Sequence, residues 1–186
     1  MAPFKGGQQS EVASVIMFGG CSDIYCKHLL NDTWILRSAG WTQLTITGPS
    51  PAARRSFKMA YLGYVVKTVP QVLLFGGACQ RGLDDLDHDG WSCQKDEMTW
   101  SFDGSWHRVV VDDPSSKPTP RYKHSMASYS AHVPDAPPLL QVVILSGIDG
   151  LDSAKTAITN TRTFTFTPSS SVPAKGTWTV SVVGTP

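Results

Sequence analysis

The chain has 186 residues, of which 41% are hydrophobic and 17% charged, and its formal net charge is +1. That length can bury a core of ordinary domain size, and the composition excludes an intrinsically disordered chain. Balanced charge without a basic stripe leaves no electrostatic footprint for nucleic acid or an anionic membrane surface, and no apolar run reaches the ~18 residues of a membrane helix.

Taken in chain order, the pattern is one of short strands. Residues 1–20 lack a signal-peptide core, because Lys5 is followed by Gly6-Gly7-Gln8-Gln9-Ser10-Glu11 where an apolar stretch would lie. A continuous apolar run at 14–20 (Ser-Val-Ile-Met-Phe-Gly-Gly) ends in a glycine pair and suits a strand buried on both faces. After a loop at 21–30 come a second run at 31–37 (Asn-Asp-Thr-Trp-Ile-Leu-Arg) and a third at 41–46 that opens with Trp41. Pro51-Ala52-Ala53-Arg54 then leads into the strand-like segment 57–61.

The same order returns twice. Residues 71–77 (Gln-Val-Leu-Leu-Phe-Gly-Gly), a loop at 78–95, a run at 96–102 containing Trp100 and a run opening with Trp106 form the second pass. Pro120-Arg121 leads into 124–128, and then 141–147 (Gln-Val-Val-Ile-Leu-Ser-Gly), a loop at 148–156, a run at 160–166 and a run opening with Trp178 form the third. Trp34, Trp100 and Phe164 occupy matching places, as do Arg54 and Arg121, and Met59-Ala60 and Met126-Ala127. With 13 prolines, 16 glycines and no 3.6-residue periodicity, the expected fold class is all-β.

These residues resemble the kelch repeat, with its Pro-x-x-Arg entry, His-Ser-type first strand, Gly-Gly second strand, and Trp in the third and at the start of the fourth. The resemblance covers essentially the whole chain and implies a kelch-type β-propeller fragment of three four-stranded antiparallel blades, at 1–47, 48–112 and 113–186, with long loops after each Gly-Gly strand. Two departures stand out. The spacings Trp41 to Trp106 and Trp106 to Trp178 exceed the ~50 residues of a kelch unit, and the third blade has Ser146-Gly147 for Gly-Gly and Phe164 for Trp. Met1-Ala2 aligns with Met59-Ala60, so the pattern implies a chain that opens within a first strand. Propellers close with typically 4–8 blades, so further blades or another chain are expected to complete the ring; closure by dimerisation is the alternative.

The cysteines fall in two pairs, Cys21 with Cys26 and Cys79 with Cys93, each bracketing a loop after a Gly-Gly strand. Disulfides within each loop are expected, and they suit an extracellular or cell-surface protein; four reduced cysteines in a cytoplasmic one are the alternative. The acidic run Asp85-Leu86-Asp87-His88-Asp89-Gly90 has the alternating oxygens and turn glycine of a calcium loop, with Asp96 at its twelfth position, although Cys93 stands at the ninth and flanking helices are missing. Asp85, Asp87, Asp89 and Asp96 are therefore candidate calcium ligands, and a solvated acidic loop is the competing reading. Asn31-Asp32-Thr33 is a glycosylation sequon, but it also opens a strand.

Five tryptophans sit at repeat positions and are expected in the blade core; Trp91 alone lies in a loop and, with Asp85 and His88, is a candidate binding residue. No Gly-x-Ser-x-Gly elbow, phosphate loop or His-Glu-x-x-His motif occurs, and the five histidines are scattered, with His124 at the kelch first-strand position, where a structural role is expected. The expected function is a noncatalytic propeller module, not an enzyme and with no cofactor beyond the calcium candidate. It would present loops for protein or glycan binding within a larger secreted or cell-surface protein, with neither nucleic-acid binding nor membrane insertion. An intracellular kelch adaptor, or part of an enzyme whose catalytic residues lie elsewhere, are the alternatives.

Overall fold

Each run that ends in a small-residue pair becomes the second strand of a four-stranded antiparallel sheet. The computed structural model describes residues 1–4, 14–66, 69–79, 93, 98–110, 117–131, 139–149, 157–158, 161–168 and 176–182. Among them the elements are strands, and none is a helix. The first sheet has the order β1 (Ala2–Phe4), β2 (Ser14–Cys21), β3 (Leu29–Arg37), β4 (Gly40–Leu44). A two-residue strand, β5 (Arg54–Arg55), leads to the second sheet: β6 (Lys58–Val66), β7 (Val69–Phe75), then β9 (Thr99–Phe102) and β10 (Trp106–Arg108). Between β7 and β9 lies β8 (Ala78–Cys79), which pairs with β5. The third sheet repeats the plan with β12 (Ser125–Ala131), β13 (Leu139–Leu145), β15 (Thr161–Pro168) and β16 (Gly176–Val182), and β11 (Arg121–Tyr122) pairs with β14 (Ile148–Asp149).

The sheets stack in chain order, and two apolar seams hold them together. In β7 successive side chains serve opposite seams, which is why the run is apolar without alternation. Val72 and Leu74 join Ile16, Phe18 and Ile35 in the first seam, whereas Leu73 and Phe75 join Val142 and Ile144 in the second. Each such fully buried side chain stabilises the stack by roughly 1.5–3 kcal/mol. Trp106 packs edge-on against Phe18 with ring centroids 5.1 Å apart. Its Nε1 donates to the buried Thr33 hydroxyl at 2.9 Å, tying the second sheet to the first. Thr33 of the sequon thus has a packing role, and Trp34 Nε1 donates to Asp32 at 2.6 Å. The Gly-Gly strands are more buried than the fourth strands in the first two sheets: β2 is buried or half-buried throughout and the described side chains of β7 are buried, whereas β4 is mostly exposed and in β10 only Trp106 is buried.

The glycine pair is required by close approach. A Cβ on Gly76 would meet the Arg121 carbonyl oxygen and lie 2.7 Å from His124 Cε1. A Cβ on Gly19 would lie 2.7 Å from the Leu30 carbonyl oxygen and 3.1 Å from that of Arg54. In both repeats the first glycine therefore makes room for the entry arginine of the next. Gly77 N donates to Arg121 O at 3.0 Å, and Lys123 N to Ser56 O at 3.0 Å, so backbone bonds cross the seam as well.

The entry arginines are structural. Arg54 Nε donates to Ala52 O at 2.9 Å and Nη1 to Gly76 O at 3.0 Å. Arg121 repeats this with Thr119 O at 3.1 Å and Ser146 O at 3.1 Å, and its Nη2 adds the Thr119 hydroxyl at 2.6 Å. Each buried guanidinium thus locks its own entry segment to the turn after its own second strand, with charge-assisted bonds to carbonyls that have left the ladder.

The third sheet departs from the repeat in register. Met17 and Leu74 face Trp34 and Trp100, but Ile144 faces Arg162 and not Phe164. Phe164 does hold the Trp34 place relative to the fourth strand, facing Val180 as Trp34 faces Gln43. The slip between β13 and β15 is two residues, so every residue keeps its side of the sheet.

Candidate functional site

The loop between β2 and β3 is short, and it is held in shape by one carboxylate and one disulfide. Cys21 bonds Cys26, closing a loop of five residues' separation, which stabilises it by roughly 2 kcal/mol in the loop-entropy account. Inside it, Asp23 Oδ1 accepts from the backbone N–H of Tyr25 at 2.9 Å and of Lys27 at 3.2 Å. Its Oδ2 accepts from the N–H of His28 at 3.1 Å and faces His28 Nδ1 at 3.4 Å. Desolvation acts to raise the Asp23 pKa, but the backbone donors and His28 overcome it and hold the carboxyl below its ordinary value. Cys26 N–H donates back to the Asp23 carbonyl at 3.1 Å, and Cys26 takes a positive φ of 53° to close the turn.

The turn inverts the usual arrangement of polar and apolar groups. Its polar atoms point inward to its own backbone, and its apolar side chains point out. Ile24 is 89% exposed and Tyr25 67% exposed at the tip. Lys27 Nζ lies 5.8 Å from the Tyr25 ring centroid. An aliphatic and an aromatic group beside a cation can bind a complementary surface; they hold no nucleophile, base and orienter in mutual reach. Sequence reasoning placed this loop and its disulfide but missed Ile24, Tyr25 and the carboxylate that sets them. The available signal was an Asp two residues into a cysteine-bracketed turn, a residue that bonds the backbone ahead of it.

The other site residues named from sequence, Asp85, Asp87, His88, Asp89, Trp91 and Asp96, lie outside the described residues. Their anchors do not. Cys79 bonds Cys93, both sulfur-bearing residues are buried, and they belong to the apolar cluster of the second seam with Leu62, Phe75, Met98 and Val142. Cys93 N–H donates to the Gly77 carbonyl.

The two disulfides therefore differ in access, and thiol–disulfide exchange needs access for the attacking thiolate. Mild reductant without denaturant, followed by alkylation and peptide mapping, is expected to label Cys21 and Cys26 first and leave Cys79 and Cys93 bonded. Equal labelling of all four would contradict the buried placement of the second pair.

The described histidines do not converge. His28 belongs to the exposed turn, and His107 Nε2 lies 3.0 Å from Asp103 Oδ1 within the β9–β10 hairpin. His124 is sealed in the second seam against the Phe75 ring, at 5.4 Å between centroids. Among the described residues no group of three or more His, Cys, Asp or Glu is placed to hold a metal ion. No helix among them is long and apolar enough to cross a membrane. Of the tryptophans, Trp100 and Trp106 are in the core as expected, but Trp41 is 44% exposed. The reason is positional: the face of the first sheet that carries Trp41 is turned away from the second sheet.

No family model matches the chain, and no curated protein matches it.

Proposed function

We propose that the chain is a segment of a kelch-type β-propeller that works as a noncatalytic binding module in a larger secreted or cell-surface protein. Its loops after the Gly-Gly strands are the contact elements, and their partner is a protein or a glycan. The order of entry arginine, glycine pair and aromatic strands, met repeatedly along the chain, supports the propeller reading. Two disulfides support an oxidising compartment.

One observation carries the binding reading. The Cys21–Cys26 turn fixes its backbone by internal bonds and leaves Ile24 and Tyr25 in solvent. Large apolar side chains on a preorganised turn bind with little further ordering cost, and tyrosine is common among the residues that dominate interfaces. The test is a screen of the chain against a glycan array and a set of secreted ectodomains, repeated with the Ile24→Ser/Tyr25→Ala double variant. Loss of about 30-fold or more in affinity for the ligand found, corresponding to roughly 2 kcal/mol, is expected. Unchanged binding would move the contact surface off this turn.

A further inference from the structure

The sequon Asn31-Asp32-Thr33 lies in β3 with its two ends in opposite environments. Asn31 is exposed, whereas Thr33 is 1% exposed and its hydroxyl accepts from Trp106 Nε1 at 2.9 Å. In an unbroken strand these two residues would share one face, because side chains alternate. Two features of the ladder separate them. Phe18 faces Thr33 and Gly20 faces Leu30, so Gly19 alone stands against both Asn31 and Asp32, which is a β-bulge. On the other side β4 ends at Leu44, which faces Thr33, so no β4 residue pairs with Asn31. Asn31 therefore sits at an open corner of the sheet, where a group added to its amide nitrogen stays in solvent. The chain's other asparagine, Asn160, is followed by Thr161-Arg162, so Asn31 heads the single sequon in the sequence.

We propose that Asn31 carries an N-linked oligosaccharide, attached as the chain enters the secretory pathway and before the second sheet docks. This rests on the secreted reading, which the two disulfides support. The donor is a lipid-diphosphate-linked oligosaccharide. Asn31 Nδ2 bonds the anomeric carbon of the first sugar and gives up one proton. The bond from that carbon to phosphate oxygen breaks, and the lipid diphosphate leaves with the electron pair.

The timing follows from Thr33. A sequon requires Ser or Thr at its third place, so the transferase reads that hydroxyl. In the folded chain the Thr33 hydroxyl is sealed under the Trp106 indole, and the sequon is closed. Trp106 lies 73 residues further along the chain. Synthesis at ~5–20 residues per second delivers it about 4–15 seconds after Thr33. The sequon is open during that interval and shuts when the indole docks. The fold thus accommodates the product on Asn31 while hiding the other end of the recognition sequence. Cys21 faces Leu29 across the ladder, so an oligosaccharide on Asn31 stands beside the base of the exposed turn.

The test has two arms. The first is tryptic mapping of the protein from the cells that make it, with and without peptide N-glycosidase. The peptide His28–Arg37 is expected to carry hexosamine, to lose it on treatment with Asn31 converted to Asp, and to come from a protein with oxidised cysteines. Oxidised cysteines beside a bare peptide would overturn the proposal and leave the secreted reading standing. Free thiols beside a bare peptide would overturn both. The second arm uses the whole chain made without glycan, incubated with microsomal oligosaccharyltransferase and its lipid-linked donor. One sample is folded and disulfide-bonded; the other is reduced, alkylated and shown to be unfolded by circular dichroism. The unfolded sample should be modified about tenfold faster or more, because the folded chain must open the seam first. Thr33→Ala should abolish modification of the unfolded sample. Equal rates for the two samples would overturn the closed sequon, and an unfolded chain left unmodified would overturn Asn31 as an acceptor.

Discussion

Gly76→Ala is expected to lower the unfolding free energy by about 3 kcal/mol or more, the sum of two independent penalties. The new methyl has no room, since the Arg121 carbonyl oxygen and the His124 ring occupy its place and neither belongs to a loose side chain. Forcing extra volume into such a seam costs roughly 1–3 kcal/mol. Gly76 also has φ of +72°, where an L side chain costs roughly 1–2 kcal/mol more. Gly48→Ala is the matched control, because nothing lies within 4 Å of its Cβ position. It should be neutral or stabilising by about 0.4–1 kcal/mol, through loss of unfolded-state freedom. Urea unfolding of the two variants beside the parent decides the matter: a Gly76→Ala protein within about 1 kcal/mol of the parent would mean that the seam is not as close as described. Ser146 holds the equivalent position at φ of +52°.

Acid is expected to destabilise the fold through His124 well above the range of ordinary carboxylates. Burial is the chief cause, and the nearby charges of Arg121 and Lys58 add to it; together they push the imidazole pKa down to about 3 from 6.5. Neither ring nitrogen has a hydrogen-bond partner. The folded chain therefore holds His124 neutral, whereas the unfolded chain takes up a proton below pH 6.5. Stability from this group is complete above pH 6.5 and falls by about 1.4 kcal/mol per pH unit below it, until the folded pKa near 3 is reached. Between pH 6.5 and pH 5 the loss should be about 2 kcal/mol. His124→Leu keeps an apolar group of similar size against Phe75 and should flatten the curve in that window. If the variant's pH profile is as steep as the parent's, another group is responsible.

How much of this was legible in the sequence depends on which force sets each feature. Strand order and fold class were legible because local patterning sets them: an apolar run, a small-residue pair, a tryptophan at a fixed place. Both disulfides were legible because they close loops whose ends those strands fix. Trp41 was not, because sequence gives its repeat position but not whether a neighbour covers that face. The register of Phe164 was half legible: its hairpin with β16 follows the repeat, while the offset of β15 on β13 joins strands too far apart in sequence for local patterning to fix it. The role of Arg54 and Arg121 was hidden for a different reason. A charged residue in a short segment reads as solvent-facing, and only the structure shows carbonyls stranded at the glycine turn that a guanidinium can satisfy. Ile24 and Tyr25 escaped notice because no repeat position marks them; what matters about them is orientation.

Cys79 and Cys93 are at once the ends of a long insertion and members of the second seam. That double membership separates two kinds of evolutionary freedom. The attachment points themselves cannot drift, because losing either one opens the disulfide and empties part of the seam together. On the binding reading proposed above, selection for new partners would act on the sequence between the cysteines and selection for the fold on the cysteines themselves, as exchangeable cargo on a fixed mount.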